Sequence, residues 1–211
     1  MDPTFCKYII VLDLTYNPDC PLSRSAIGDV GGFVHNSLTS APATPFTNPR
    51  WATALDLDYA GNKPTNIVRI GNDASSTGGK QVALSSDSGA TWSVDYGAPD
   101  LVAGGKVAIS ADADTVLWRT GSNGVLVSQY TNAFTAVSSL PADVAIASDK
   151  VKNTNFYAAS ANKFYVSTNT GASFTVSAGT LGSSTSANDI VVHPTVTGDV
   201  WVSTSAVRIS S

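Results

Sequence analysis

The chain has 211 residues, a formal net charge of −4 and 13% charged residues. That length can bury a sizeable core, whereas so few charges, with no basic run and no basic residues interleaved with aromatics, argue against a nucleic-acid partner. All 16 acidic residues are Asp, and a composition led by Ser, Thr, Gly, Val and Ala disfavours helices and favours strands joined by turns.

In chain order, Tyr8-Ile9-Ile10-Val11-Leu12 is the first apolar stretch. It stops at Asp13, too short to cross a bilayer, and it lacks the basic flank and small-residue cleavage site of a secretory signal. Cys6 and Cys20 are the only cysteines, and a disulfide between them or two free thiols fit equally well. The first strand pair is Ala54–Tyr59 with Ile67–Ile70, followed by a third strand, Gln81–Leu84, that runs into a turn at Asp87. Lys106–Ser110 pairs with Val116–Trp118 in the same way, and Gly124–Phe134 then carries a third strand and a turn near 130. The pattern returns with Val144–Ser148, Phe156–Ala158, Lys163–Val166 and a turn at Asn169, and once more with Asp189–His193 and Val200–Val202. Each unit begins as a β-hairpin.

The turn at Asp87 is Ser85-Ser86-Asp87-Ser88-Gly89-Ala90-Thr91-Trp92, and it recurs as Ser167-Thr168-Asn169-Thr170-Gly171-Ala172-Ser173-Phe174. An Asp or Asn two residues before Gly suits a tight turn, since its oxygens accept backbone N–H groups while Gly takes a positive φ. The closing aromatic starts the next strand with a body to bury. The octapeptide resembles the Asp-box found on the blades of sialidases, sortilin-type receptors and several glycoside hydrolases. The turn near 130 reads as a copy that has lost its Asp.

Turns at 87, about 130 and 169 set a period of roughly 40 residues with four strands per unit, the spacing of a propeller blade. The expected fold is therefore all-β, a partial β-propeller of about three four-stranded blades plus half blades at the ends. Residues 1–10 match no pattern and 11–211 form one incomplete propeller domain. Propellers close with about four to eight blades, so such a set leaves two open flanks.

A further set of motifs resembles the start of the second propeller of glycoside hydrolase family 74. It runs from Val11-Leu12-Asp13-Leu14 through Ser25-Ala26-Ile27-Gly28-Asp29-Val30-Gly31-Gly32-Phe33-Val34-His35 and Phe46-Thr47-Asn48-Pro49. It continues with Asn66–Asn72, Gly124–Tyr130 and His193-Pro194 to Trp201–Thr204. The resemblance implies a secreted, inverting endo- or reducing-end-acting β-1,4-glucanase that prefers xyloglucan and needs no cofactor. It also implies two facing propellers, each supplying one catalytic Asp, with Asp29 as general acid and the partner base in an upstream propeller that this chain does not contain. Inversion requires two carboxyls about 6.5–9.5 Å apart, one to protonate the leaving oxygen and one to activate water. The chain is thus expected to carry the general-acid half of such a site and to be weak or inactive alone. The alternative is a non-catalytic glycan-binding or decoy propeller.

For Asp29, the residues themselves also allow a turn Asp before a Gly-Gly bend. His35 follows the motif closely enough to line the same cleft, and Tyr96 and Trp118 are candidate sugar-stacking residues, with burial between blades the competing role for Trp118 and Trp201. Trp92 and Phe174 belong to the boxes and are expected in the core. The two histidines are too far apart in sequence for a metal site. Ala74–Gln81 fails as a phosphate loop because no Ser or Thr follows Lys80, and no Gly-x-Ser-x-Gly elbow is present. The five arginines carry no Arg-Ile-Pro signature of a sialidase. The expected partner is xyloglucan or a related β-glucan, with no membrane.

Overall fold

The computed structural model describes residues 11–17, 20–27, 31–35, 39–42, 44–72, 79–182 and 184–206. The first ten residues and Asp29 lie outside them. The described chain is all strand and turn, without a helix.

The first sheet has three strands, β1 (Val11–Asn17), β2 (Cys20–Ile27) and β3 (Phe33–His35), one more than the half blade expected there. Three four-stranded antiparallel sheets follow. They comprise β4 (Thr53–Tyr59), β5 (Ile67–Asn72), β6 (Val82–Ser85) and β7 (Ser93–Val94); then β8 (Lys106–Ile109), β9 (Thr115–Arg119), β10 (Val125–Gln129) and β11 (Thr135–Ala136); then β12 (Ala145–Ser148), β13 (Phe156–Ser160), β14 (Lys163–Ser167) and β15 (Thr175–Thr180). A two-stranded sheet, β16 (Ser184–Val192) with β17 (Val200–Ala206), ends the series. In every sheet the strands neighbour one another in chain order, and β4, β8, β12 and β16 lie side by side as the innermost strands.

Because each of the three four-stranded sheets is covered on both faces by its neighbours, its central strands are apolar almost throughout. Val68, Ile70 and Val82 meet Val107, Ile109, Val116 and Trp118. Leu117, Val125 and Val127 meet Val144, Ile146, Phe156 and Ala158. Ala145, Tyr157 and Ala159 meet Ile190, Val192, Val200 and Val202. The core is thus a row of layers between successive sheets, which is how blades pack.

The two octapeptide turns close in the same way. Gly89 N–H donates to Ser85 Oγ at 2.8 Å and Thr91 N–H to Asp87 Oδ1 at 2.8 Å; Gly171 N–H donates to Ser167 Oγ at 3.0 Å and Ser173 N–H to Asn169 Oδ1 at 3.1 Å. Ser88 and Gly89 sit at φ 64° and 81°, Thr170 and Gly171 at 57° and 76°. One chemical difference is a reversed donor. Thr91 Oγ1 donates to the Asp87 carboxylate, whereas Asn169 Nδ2 donates to Ser173 Oγ at 2.8 Å. Trp92 and Phe174 are buried.

Candidate functional site

Antiparallel order divides the connections between two ends of the sheets. β2 ends and β3 begins at the end where second strands turn into third strands and where one sheet leads to the next. The octapeptide turns lie at the other end, tied to the first hairpin of their own sheet. Ser88 N–H donates to Thr65 O, Tyr130 N–H to Asp114 O and Thr170 N–H to Thr154 O, at 2.9, 2.7 and 2.9 Å.

Asp29 is outside the described residues. The backbone just beyond it is described: Gly31 and Gly32 have φ of 91° and 129°, and Gly32 O accepts Phe46 N–H at 2.9 Å. The Gly-Gly pair therefore makes a bend that other residues rarely adopt. His35 closes β3 opposite Ser23, and its side chain is outside what is described.

Tyr96 is 82% exposed. Its turn is held by Asp95 N–H to Val82 O at 2.9 Å, Ala98 N–H to Asp95 O at 3.1 Å and Gly97 N–H to Asp95 Oδ1 at 2.9 Å. Burial pushes the Asp95 carboxyl above the usual carboxylate value, although the Gly97 N–H and the Lys80 charge act the other way. Lys80 Nζ donates to Ala98 O at 2.6 Å and pairs with Asp100 at 3.0 Å. Trp118 is fully buried. Its Nε1–H donates to Gly104 O at 2.9 Å and its ring meets Phe134 edge-on at 5.8 Å. Because Phe134 N–H donates to Gly97 O at 3.3 Å, Trp118 underpins the turn that displays Tyr96, and its own faces are packed.

A charged group along the innermost strands escapes the sequence motifs altogether. Asp56 Oδ2 accepts Val107 N–H at 2.7 Å and Asp58 Oδ2 accepts Ile109 N–H at 2.9 Å. Lys106 and Lys150 pair with Asp56 and Asp58 at 3.3 and 2.6 Å, and Lys150 Nζ also donates to Tyr59 O at 2.9 Å. These groups line a cavity of about 220 Å³ together with Ser148 and Asp189. An innermost strand has an unpaired edge, and its N–H groups need acceptors. The carboxylates of β4 cap those of β8, so their described partners give them a structural role.

Sheets of four antiparallel strands, stacked face to face in chain order, define a propeller-type all-β protein. No protein-family model matches the chain. It is 49% identical over 92% of its length to a xyloglucanase of Hypocrea jecorina and 38% identical over 90% to a xyloglucanase of Paenibacillus, spanning 23% and 19% of those proteins. The GH74 xyloglucanase of Xanthomonas campestris superposes with a TM-score of 0.84 at 27% identity, over 92% of this chain and 29% of that one. The chain is thus similar to GH74 xyloglucanases in both sequence and fold, and spans about a quarter or less of the relatives it matches.

Proposed function

We propose that this chain forms part of a xyloglucan-directed, inverting β-1,4-glucanase of the GH74 type, endo- or reducing-end-acting and secreted, and that Asp29 is its general acid. The observation that carries the reading is the 49% identity to a xyloglucanase across 92% of the chain, joined to a fold in which β2 ends and β3 begins at the end away from the octapeptide turns. In this reading those turns are Asp-boxes with a structural role, and 11–211 are one propeller domain. Asp29 donates a proton to the leaving glycosidic oxygen, while a second carboxylate outside this chain activates water on the opposite face. His35 lines the same cleft.

The test is a chimera in which this chain replaces the stretch it matches in the Hypocrea jecorina xyloglucanase. The chimera should release reducing ends from xyloglucan, and Asp29→Ala should lower that rate by about 10²–10⁴. A folded chimera without activity, or one indifferent to Asp29→Ala, would overturn the reading. The exposed ring of Tyr96 favours a second reading, a glycan-binding protein without turnover, in which xyloglucan binding persists in Asp29→Ala and falls in Tyr96→Ala.

A further inference from the structure

Three turns of this chain occupy equivalent places between third and fourth strands, and the middle one breaks the pattern. Position by position, Ser88-Gly89 and Thr170-Gly171 correspond to Tyr130-Thr131, whose φ values of 52° and 59° are equally left-handed. That backbone is unfavourable for an aromatic and for a β-branched residue. The pairing of Val116 with Ser128 puts a serine where the pairing of Ile67 with Ser85 does, so the hydroxyl is kept, but the turn beyond it is one residue shorter and has no carboxylate to close it. The fold keeps the turn nonetheless, through Ser128 Oγ donating to Asn132 O at 2.6 Å and Asn132 N–H donating to Gln129 O at 3.0 Å. What the exchange achieves is display: the Tyr130 side chain is 72% exposed.

The neighbouring sheet presents a second exposed ring, Tyr96, on a turn that packs against this one. Gly97, which follows Tyr96, packs so closely on the carbonyls of Thr131 and Asn132 that a Cβ would collide with them. Phe134 N–H donates to Gly97 O across the same junction. The turns carrying Tyr96 and Tyr130 are therefore fixed to one another before any ligand arrives, so little ordering cost remains to be met on binding. Two exposed phenol rings, flanked by the exposed Asn132, suit a neutral ligand with flat C–H faces and hydroxyl edges.

We propose that Tyr96 and Tyr130 form a glycan-stacking platform at the outer strands β7 and β11, which holds a β-linked glucan chain. The polysaccharide class rests on the function proposed above; the platform rests on the two turns. Affinity electrophoresis of the whole chain through gels containing xyloglucan or hydroxyethylcellulose tests it. The chain should be retarded by xyloglucan, and Tyr96→Ala and Tyr130→Asn should each weaken that binding at least about fivefold, as expected for loss of an aromatic contact. Tyr130→Phe should bind like the parent. Asn tolerates a positive φ, so Tyr130→Asn removes the ring while keeping the turn, and an unchanged thermal melt verifies this. An unretarded parent chain, or retardation unchanged in Tyr96→Ala and Tyr130→Asn, overturns the platform. Retardation by hydroxyethylcellulose alone would keep the platform and correct the glucan. The readout needs no turnover, so an inactive chimera would leave it standing.

Discussion

At Asp149 one buried carboxylate joins three segments. It accepts Val151 and Lys152 N–H at 2.8 Å each within its own turn, the Tyr157 hydroxyl at 2.7 Å from β13, and Gly198 N–H at 2.9 Å from the β16–β17 hairpin. Burial opposes its ionisation, but these donors outweigh it and hold the carboxyl below its ordinary 3.8. A depressed folded value means that the stabilisation is present above the unfolded value and is lost as pH falls through the folded one. Asp149→Asn should therefore cost about 1.5–3 kcal/mol at pH 7, and urea titrations should show that gap shrinking as the pH falls below the ordinary carboxylate value. Arg69 poses the opposite case. Its guanidinium lies 4.5–4.8 Å from the rings of Phe46, Trp51 and Trp92 and donates through Nη2 to Pro49 O at 2.7 Å, while Nε and Nη1 are buried without a hydrogen-bond partner. Burial pushes it down to about 9. Arg69→Met keeps the contacts with the rings and removes an uncompensated charge, so its stability should stay within about 1 kcal/mol of the parent. Arg69→Ala empties the space among three rings and should cost about 3 kcal/mol or more in the same titration.

At the scale of the turn, a closing Gly decides how much strain the backbone stores. Gly89 and Gly171 occupy the second left-handed position without a Cβ, whereas Thr131 holds it with a branched one. Thr131→Gly should then raise stability by about 0.5–1 kcal/mol, the reverse of what substitution at Gly89 would do, and a thermal melt would show both signs. The hairpins were legible in the chain because their signals are local: β-branched strands separated by Asx, Pro and Gly turns. Strand lengths were less so, and β7 and β11 shrink to two residues while β15 runs to six. The site divides along the same line. Position 29 stands out as a motif only through family resemblance, and Tyr96 through its turn, but Tyr130 hides inside a turn that reads merely as degenerate. Asp56 and Asp58 could not be recognised at all, since the N–H groups they cap lie 51 residues away.

For the molecule as a whole, the register repeat shows what each sheet does to the one before it. Counting two residues outward from the bonds Ala60 N–H to Asn66 O, Ser110 N–H to Thr115 O, Asp149 N–H to Asn155 O and His193 N–H to Asp199 O gives the equivalent positions Val68, Leu117, Tyr157 and Trp201. The first three are buried, with Tyr157 only 4% exposed, because the next sheet lies on them; Trp201 is 54% exposed and pairs across the strands with Val191, also exposed. One register position thus has opposite consequences according to whether a further sheet covers it. Tyr157→Lys places an ammonium between packed sheets and removes the bond to Asp149, and should unfold or severely destabilise the chain by about 3 kcal/mol or more. Trp201→Lys should change the melting temperature little, since exposed substitutions generally fall within about ±0.5 kcal/mol. It should also reduce concentration-dependent association, because an exposed apolar pair on a sheet face is where such chains stick together. Sedimentation velocity across a concentration series would measure this, and equal association of the parent and Trp201→Lys would show that the face is inert.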